Sequence, residues 1–174
     1  PSPTSTQHPS SSSSSLSSSS LLRVVILPAQ HNSHRWLWDR NQTLWGSFGV
    51  VGEKSRYFFA GDTGYRNAET VCPVFAEIGE RVGPFDLASI PIGAYDPRFV
   101  MEPIHADPDD AADIHIDIRS KQSIGMHWGT WRLTYEPTLE PPKKLKKAIE
   151  ARNLPQESFQ APLPGTTVLA NTER

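Results

Sequence analysis

The residues from Arg56 to Gly64 begin as a strand and end as a turn. Tyr57, Phe58 and Phe59 favour a pleated, buried surface, and Gly61 and Gly64 release the backbone on either side of Asp62. One carboxylate is therefore expected at the mouth of a sheet. The plan recurs twice. Gln122 to Met126 reads as a short strand that stops at His127, Trp128 and Gly129, and the apolar run Leu21 to Leu27 stops at Pro28, Ala29, Gln30 and His31. Three strand ends then offer two imidazoles and a carboxylate, the donor chemistry of zinc.

The intervening segments alternate in kind. Thr43 to Val51 reads as a strand and turns through Gly52 to Ser55 into Tyr57 to Ala60, an antiparallel hairpin. Pro73 to Val82 reads as a helix buried through Phe75 and Ile78, and Asp86 to Ile92 as a strand apolar enough to be covered on both faces. Gly93 to Pro108 reads as loop. Asp107 and Pro108 form a helix start, after which Ala111, Ile114, His115 and Ile118 share one face. His115 is expected in the core or just behind the site. Another helix opens at Pro141 and Pro142, with Leu145, Ala148 and Ile149 inward and Lys143, Lys144, Lys146 and Lys147 outward. A weak strand is expected near Thr166 to Leu169. Mixed strands and helices with functional side chains at strand ends indicate a layered α/β or α+β sandwich.

Bulk properties narrow the function classes. At 174 residues there is room for one domain with a real core. Residues 1–20 are dominated by serine and proline and carry no Arg or Lys, so they are expected to be a disordered segment ahead of a domain at 21–174. A net charge of −2, with aromatics not interleaved with basic residues, disfavours nucleic acid as a partner. Cys72 is the only cysteine, so a metal would be held by histidine and carboxylate. No apolar run approaches the roughly twenty residues that span a bilayer.

Asp62, Thr63 and Gly64 also fit an aspartic-protease loop, but that chemistry needs two carboxylates sharing a proton. No second such motif occurs, and His31 and His127 would then have no role. The metal reading uses all three residues.

Several longer stretches resemble a known family. Pro28 to His31, Thr43 to Ser47, Phe58 to Tyr65, Gly83 to Ala88, Ile90 to Tyr95, His105 to Pro108, His127 to Thr130 and Leu139 to Pro142 are similar to the N-acylphosphatidylethanolamine-hydrolysing phospholipase D family. The resemblance runs in order from about Arg23 to about Asn153. It implies the metallo-β-lactamase fold, an αβ/βα sandwich with two zinc ions, of which this chain would be the C-terminal half with a mixed, largely antiparallel sheet.

By that resemblance His31 would bind one zinc, His127 the other, and Asp62 would bridge them as a catalytic residue. His105 would be a catalytic-site histidine contacting the phosphate or leaving group. From the residues themselves, Tyr95 reads as lining the substrate groove, with packing ahead of Asp96 and Pro97 as the alternative. The implied reaction hydrolyses N-acylphosphatidylethanolamine to N-acylethanolamine and phosphatidic acid. The implied partner is a phospholipid, met at an intracellular membrane that the protein touches peripherally, and a homodimer is left open.

The sequence departs from the family where it matters. The upstream H-x-H-x-D-H ligand motif is absent, so the chain is expected to lack a competent dinuclear centre and to be inactive alone, with the missing N-terminal half as its complement. Arg66 to Val71 looks inserted, and Asn32 stands where an aromatic often follows the ligand histidine. The alternatives are another hydrolase of the same fold, or a non-catalytic truncated half-domain.

Overall fold

The computed structural model describes residues 21–170. The 1–20 segment expected to be disordered lies outside the described residues. In chain order the elements are β1 (Arg23–Leu27), β2 (Ser47–Val51), β3 (Arg56–Phe59), β4 (Arg66–Asn67), β5 (Thr70–Val71), α1 (Val74–Arg81) and β6 (Leu87–Pro91). There follow α2 (Arg98–Met101), α3 (Pro108–Asp117), β7 (Ser123–Met126), α4 (Glu140–Ala151), a 3₁₀ turn (Gln156–Ser158) and β8 (Phe159–Gln160).

Six strands form one sheet in the order β1-β2-β3-β6-β7-β8. The first two pairings are antiparallel, with Ile26 opposite Phe48 and Phe48 opposite Phe59. The remaining three are parallel. The mixed sheet and the α+β class match the sequence expectation, but the sheet is not largely antiparallel. From β3 onward each strand returns through a helix (α1, then α2 and α3, then α4), and such a crossover delivers the next strand in the same direction. Right-handed crossovers that step always toward the same edge put their helices on one face. In agreement, α3 packs against both α1 and α4.

The helix layer and the sheet enclose the core. Phe58, Phe75, Phe85, Ile90, Ile92, Ile114, Ile118 and Ile149 are wholly buried, each stabilising the fold by roughly 1.5–3 kcal/mol. The Asp107 carboxylate caps α3 by accepting the Asp110 N–H at 2.9 Å, as the Asp-Pro start predicts. His115 is a core residue, its Nδ1 paired with Ser123 Oγ at 2.8 Å.

In β2 the small residues Ser47 and Gly49 face the helices, while Phe48 is exposed. Val24, Ile26, Phe48 and Phe59 therefore make an apolar row on the other face, which no described residue covers. Two local expectations fail. Thr166 to Leu169 forms no strand, and the last strand is instead β8, where buried Phe159 pairs beside Ser123. Nor is Gly93 to Pro108 all loop, because it contains α2.

Candidate metal centre

Strands β1, β3, β6 and β7 point the same way, β1 because two successive antiparallel pairings restore its direction. Their C-terminal ends therefore share one edge of the sheet. His31 follows β1, Asp62 follows β3, His105 lies between α2 and α3 after β6, and His127 follows β7. Ligand atoms of His31, Asp62 and His105 lie within 4.8 Å of one another. His127 Nε2 stands 3.4 Å from Asp62 Oδ1. The His105 ring sits between the other two imidazoles, with centroids 5.3 Å from His31 and 5.1 Å from His127.

Each imidazole keeps a nitrogen without a partner. His31 Nε2, His105 Nδ1 and His127 Nδ1 are buried and make no hydrogen bond, an arrangement that costs free energy unless something accepts those lone pairs. His31 donates from Nδ1 to the Asn32 main-chain carbonyl at 2.7 Å, which leaves Nε2 as the acceptor nitrogen. That carbonyl does the orienting, so the departure at Asn32 does not remove it. Burial, and next the neighbouring His127 ring, push the His105 pKa down to about 4, so His105 is neutral at pH 7. Three imidazoles around one half-exposed carboxylate form a donor set that a divalent zinc ion fits.

The loops are braced together by residues outside this cluster. Gln30 donates from Nε2 to the carbonyls of Arg66 and Pro103 at 2.9 and 3.0 Å. Its own N–H donates to Thr63 Oγ1 at 2.9 Å, and Thr63 accepts the Ala106 N–H at its carbonyl at 2.7 Å. The neighbours of His31, Asp62 and His105 are thus one hydrogen-bonded unit. Gly64 permits the close approach, since a Cβ there would stand 2.6 Å from the Pro103 carbonyl carbon. His127 itself has φ of +63°, a left-handed conformation that costs a non-glycine residue energy and is often found at functional sites.

Charge completes the scaffold. Arg98 donates to the His105 carbonyl at 2.9 Å and to Asp110 Oδ2 at 2.6 Å. Arg66 pairs with the other oxygen of Asp110 and with Asp113 at 2.6 Å, and Arg152 pairs with Asp113 at 2.7 Å. Burial and Asp107 raise the Asp110 pKa, while both arginines oppose the rise. The stretch read as an insertion is the β4–β5 hairpin that carries Arg66 into this network.

Tyr95 is a correction. It is 2% exposed and donates its hydroxyl to Glu140 at 2.8 Å beneath the Lys144 ammonium, so its ring packs and does not line a groove. The adjacent main chain is held by Glu136, which accepts the N–H groups of Ala94 and Asp96 at 2.7 and 3.2 Å. Arg66, Arg98, Asp110 and Glu136 were not singled out from sequence. A signal existed, because Asp109, Asp110 and Asp113 lie on a helix with an apolar face, and any of these carboxylates that is buried demands a cationic partner.

A family model described as a beta-lactamase superfamily domain matches residues 3–128. The chain is 47% identical over 140 residues to the N-acyl-phosphatidylethanolamine-hydrolyzing phospholipase D 1 of Caenorhabditis elegans, covering 79% of this chain and 38% of that protein. It is 37% identical over 132 residues to the Saccharomyces cerevisiae protein named N-acyl-phosphatidylethanolamine-hydrolyzing phospholipase D, mitochondrial, covering 75% of this chain and 27% of that one. It therefore spans well under half of either relative. Among solved structures it resembles Igni18, a metallo hydrolase of Ignicoccus hospitalis, with a TM-score of 0.55 and 22% identity over 84% of this chain and 52% of that one. That likeness concerns the fold.

Proposed function

The chain belongs to the beta-lactamase superfamily, as a relative of the N-acylphosphatidylethanolamine-hydrolysing phospholipases D, and from that premise we propose that it carries part of a zinc-dependent phosphodiesterase site of the phospholipase D type. The observation that carries this reading is the gathering of His31, His105 and His127 around the Asp62 carboxylate, with one buried nitrogen of each imidazole left without a partner. The substrate is N-acylphosphatidylethanolamine, and the products are phosphatidic acid and N-acylethanolamine.

His31 and His127 would be terminal ligands, one for each of two zinc ions, and Asp62, which lies close to both, would bridge them. Zinc in this place would supply positive charge to a phosphoryl group and activate water at neutral pH. His105, neutral and buried at the centre of the cluster, can donate from one ring nitrogen and accept at the other, which suits it to orient a phosphoryl or leaving-group oxygen. Arg98 and Asp110 hold the main chain on which His105 rides. In the reaction a water oxygen bonds to phosphorus, the bond from phosphorus to the ethanolamine oxygen breaks, and that oxygen takes the proton.

The cluster has four donors among the described residues, fewer than two zinc shells need. We assign the remainder to a partner half of the fold that also covers the apolar row Val24, Ile26, Phe48 and Phe59. Without that half the chain is inactive. No described helix is long and apolar enough to cross a membrane, and the protein would meet its lipid from the surface.

Hydrolysis of N-acylphosphatidylethanolamine in ¹⁸O-labelled water by the protein containing this region tests the proposal. The label is expected in phosphatidic acid. Label in N-acylethanolamine, or other products, would remove the phospholipase D assignment.

A further inference from the structure

The loop that leaves His31 is built inside out. Its polar groups satisfy one another. Asp39 Oδ1 accepts the N–H groups of Arg35 and Trp36 at 2.8 and 2.9 Å, and the Ser33 hydroxyl donates to the Thr43 carbonyl at 2.7 Å. Asn41 N–H donates to the Ser33 carbonyl at 2.6 Å, and Gln42 Nε2 to the Trp38 carbonyl at 3.2 Å. Its large apolar side chains face out: Leu37 is 98% exposed, Trp38 75% and Leu44 96%. The Trp36 and Trp38 indoles stack nearly parallel with centroids 5.9 Å apart. A hydrogen-bonded loop that displays indoles and leucines to water carries an unpaid hydration cost, which contact with an apolar phase relieves.

We infer that the loop 32–46, through Trp36, Leu37 and Trp38, is a docking element that seats the metal centre on an anionic phospholipid surface. Two features select a bilayer as occupant. Indoles prefer the boundary between headgroups and acyl chains, where an apolar ring and a polar N–H are both satisfied. Arg35 and Arg40, both exposed, flank the apolar apex and complement anionic headgroups. A second loop on the same sheet edge repeats the composition, with exposed Trp131, Arg132 and Leu133 just beyond His127. The site thus lies between two rims that both carry indole, leucine and arginine. This deepens the lipid-hydrolase reading and rests on it for the identity of the substrate, but the docking itself needs no turnover.

The test uses zinc-chelated protein and vesicles of phosphatidylcholine, with and without phosphatidylserine, containing no N-acylphosphatidylethanolamine. Brominated acyl chains should quench tryptophan emission. Changing Trp36→Ser, Leu37→Ser and Trp38→Ser together should remove that quenching and weaken vesicle partitioning at least about tenfold. Arg35→Glu with Arg40→Glu should abolish the gain from phosphatidylserine. Asp62→Asn should bind vesicles like the unaltered protein, so a failed hydrolysis assay and a failed docking assay are distinguishable. Unquenched emission, or unaltered partitioning of the triple variant, overturns the inference. So does a lowered melting temperature of the triple variant in the absence of vesicles, because the loop would then be covered by protein.

Discussion

Gly93 faces the main-chain carbonyl of His127 so closely that a Cβ on Gly93 would stand 2.1 Å from the His127 oxygen. The contact is backbone to backbone, at the point where β6 and β7 deliver their loops to the candidate metal site. Neither partner can swing aside as a flexible side chain would. Gly93→Ala should therefore move the His127 main chain, cost about 1–3 kcal/mol of stability by overpacking, and weaken zinc binding at least about tenfold. Chemical denaturation and zinc titration of the variant check both effects.

Arg98 joins the buried Asp110 carboxylate to the His105 carbonyl. Arg98→Ala leaves Asp110 with Arg66 as its remaining direct cation, and breaking a buried pair costs about 3–5 kcal/mol. Arg98 is itself 30% exposed, so a loss nearer 2 kcal/mol is expected after screening. Arg98→Lys should restore part of the stability without restoring the bond to His105, since one ammonium cannot reproduce the fork. Equal recovery of stability and zinc affinity in Arg98→Lys would contradict this division of roles.

Gln30 offers its amide N–H groups to two carbonyls on two different loops. Gln30→Glu turns that donor into an acceptor facing acceptors. Its loss of stability, about 1–3 kcal/mol, should be larger at pH 8 than at pH 5, where protonation returns one donor. A loss independent of pH, measured by urea unfolding, would contradict the brace.

Acid should weaken the fold through His115. Burial pushes its pKa down from 6.5 to about 4. Between those values the unfolded chain binds a proton that the folded chain refuses, so stability is full above pH 6.5 and falls as pH drops toward 4. The shift corresponds to roughly 3 kcal/mol at its limit. His105, also pushed down to about 4, acts in the same window, so His115→Asn should reduce the slope there by about half, whatever it does to stability at pH 7. An unchanged slope would show that other groups govern the acid limb.

Much of the fold was legible because local patterns agreed with their surroundings. The Asp107 cap, the buried face of Ala111, Ile114, His115 and Ile118, and the turn between β2 and β3 are all set by residues close in sequence. The convergence of His31, Asp62 and His127 was suggested by strand ends and family resemblance, and the parallel strand directions supply its physical basis. The bracing was not legible. Gln30 meets Pro103 across 73 positions, and Arg66 meets Asp110 across 44, pairings that topology alone creates. Sequence leaves Tyr95 between groove and packing, because an aromatic beside Asp96 and Pro97 looks the same in either role, and Glu140 decides for packing.

Phosphatidic acid release from N-acylphosphatidylethanolamine by the zinc-loaded protein containing this region, compared with its Asp62→Asn variant, tests the proposed role of Asp62, His31 and His127 in holding a catalytic zinc. A loss of at least about a hundredfold is expected, together with loss of bound zinc. Asp62→Asn protein that keeps its zinc and its rate would contradict that role.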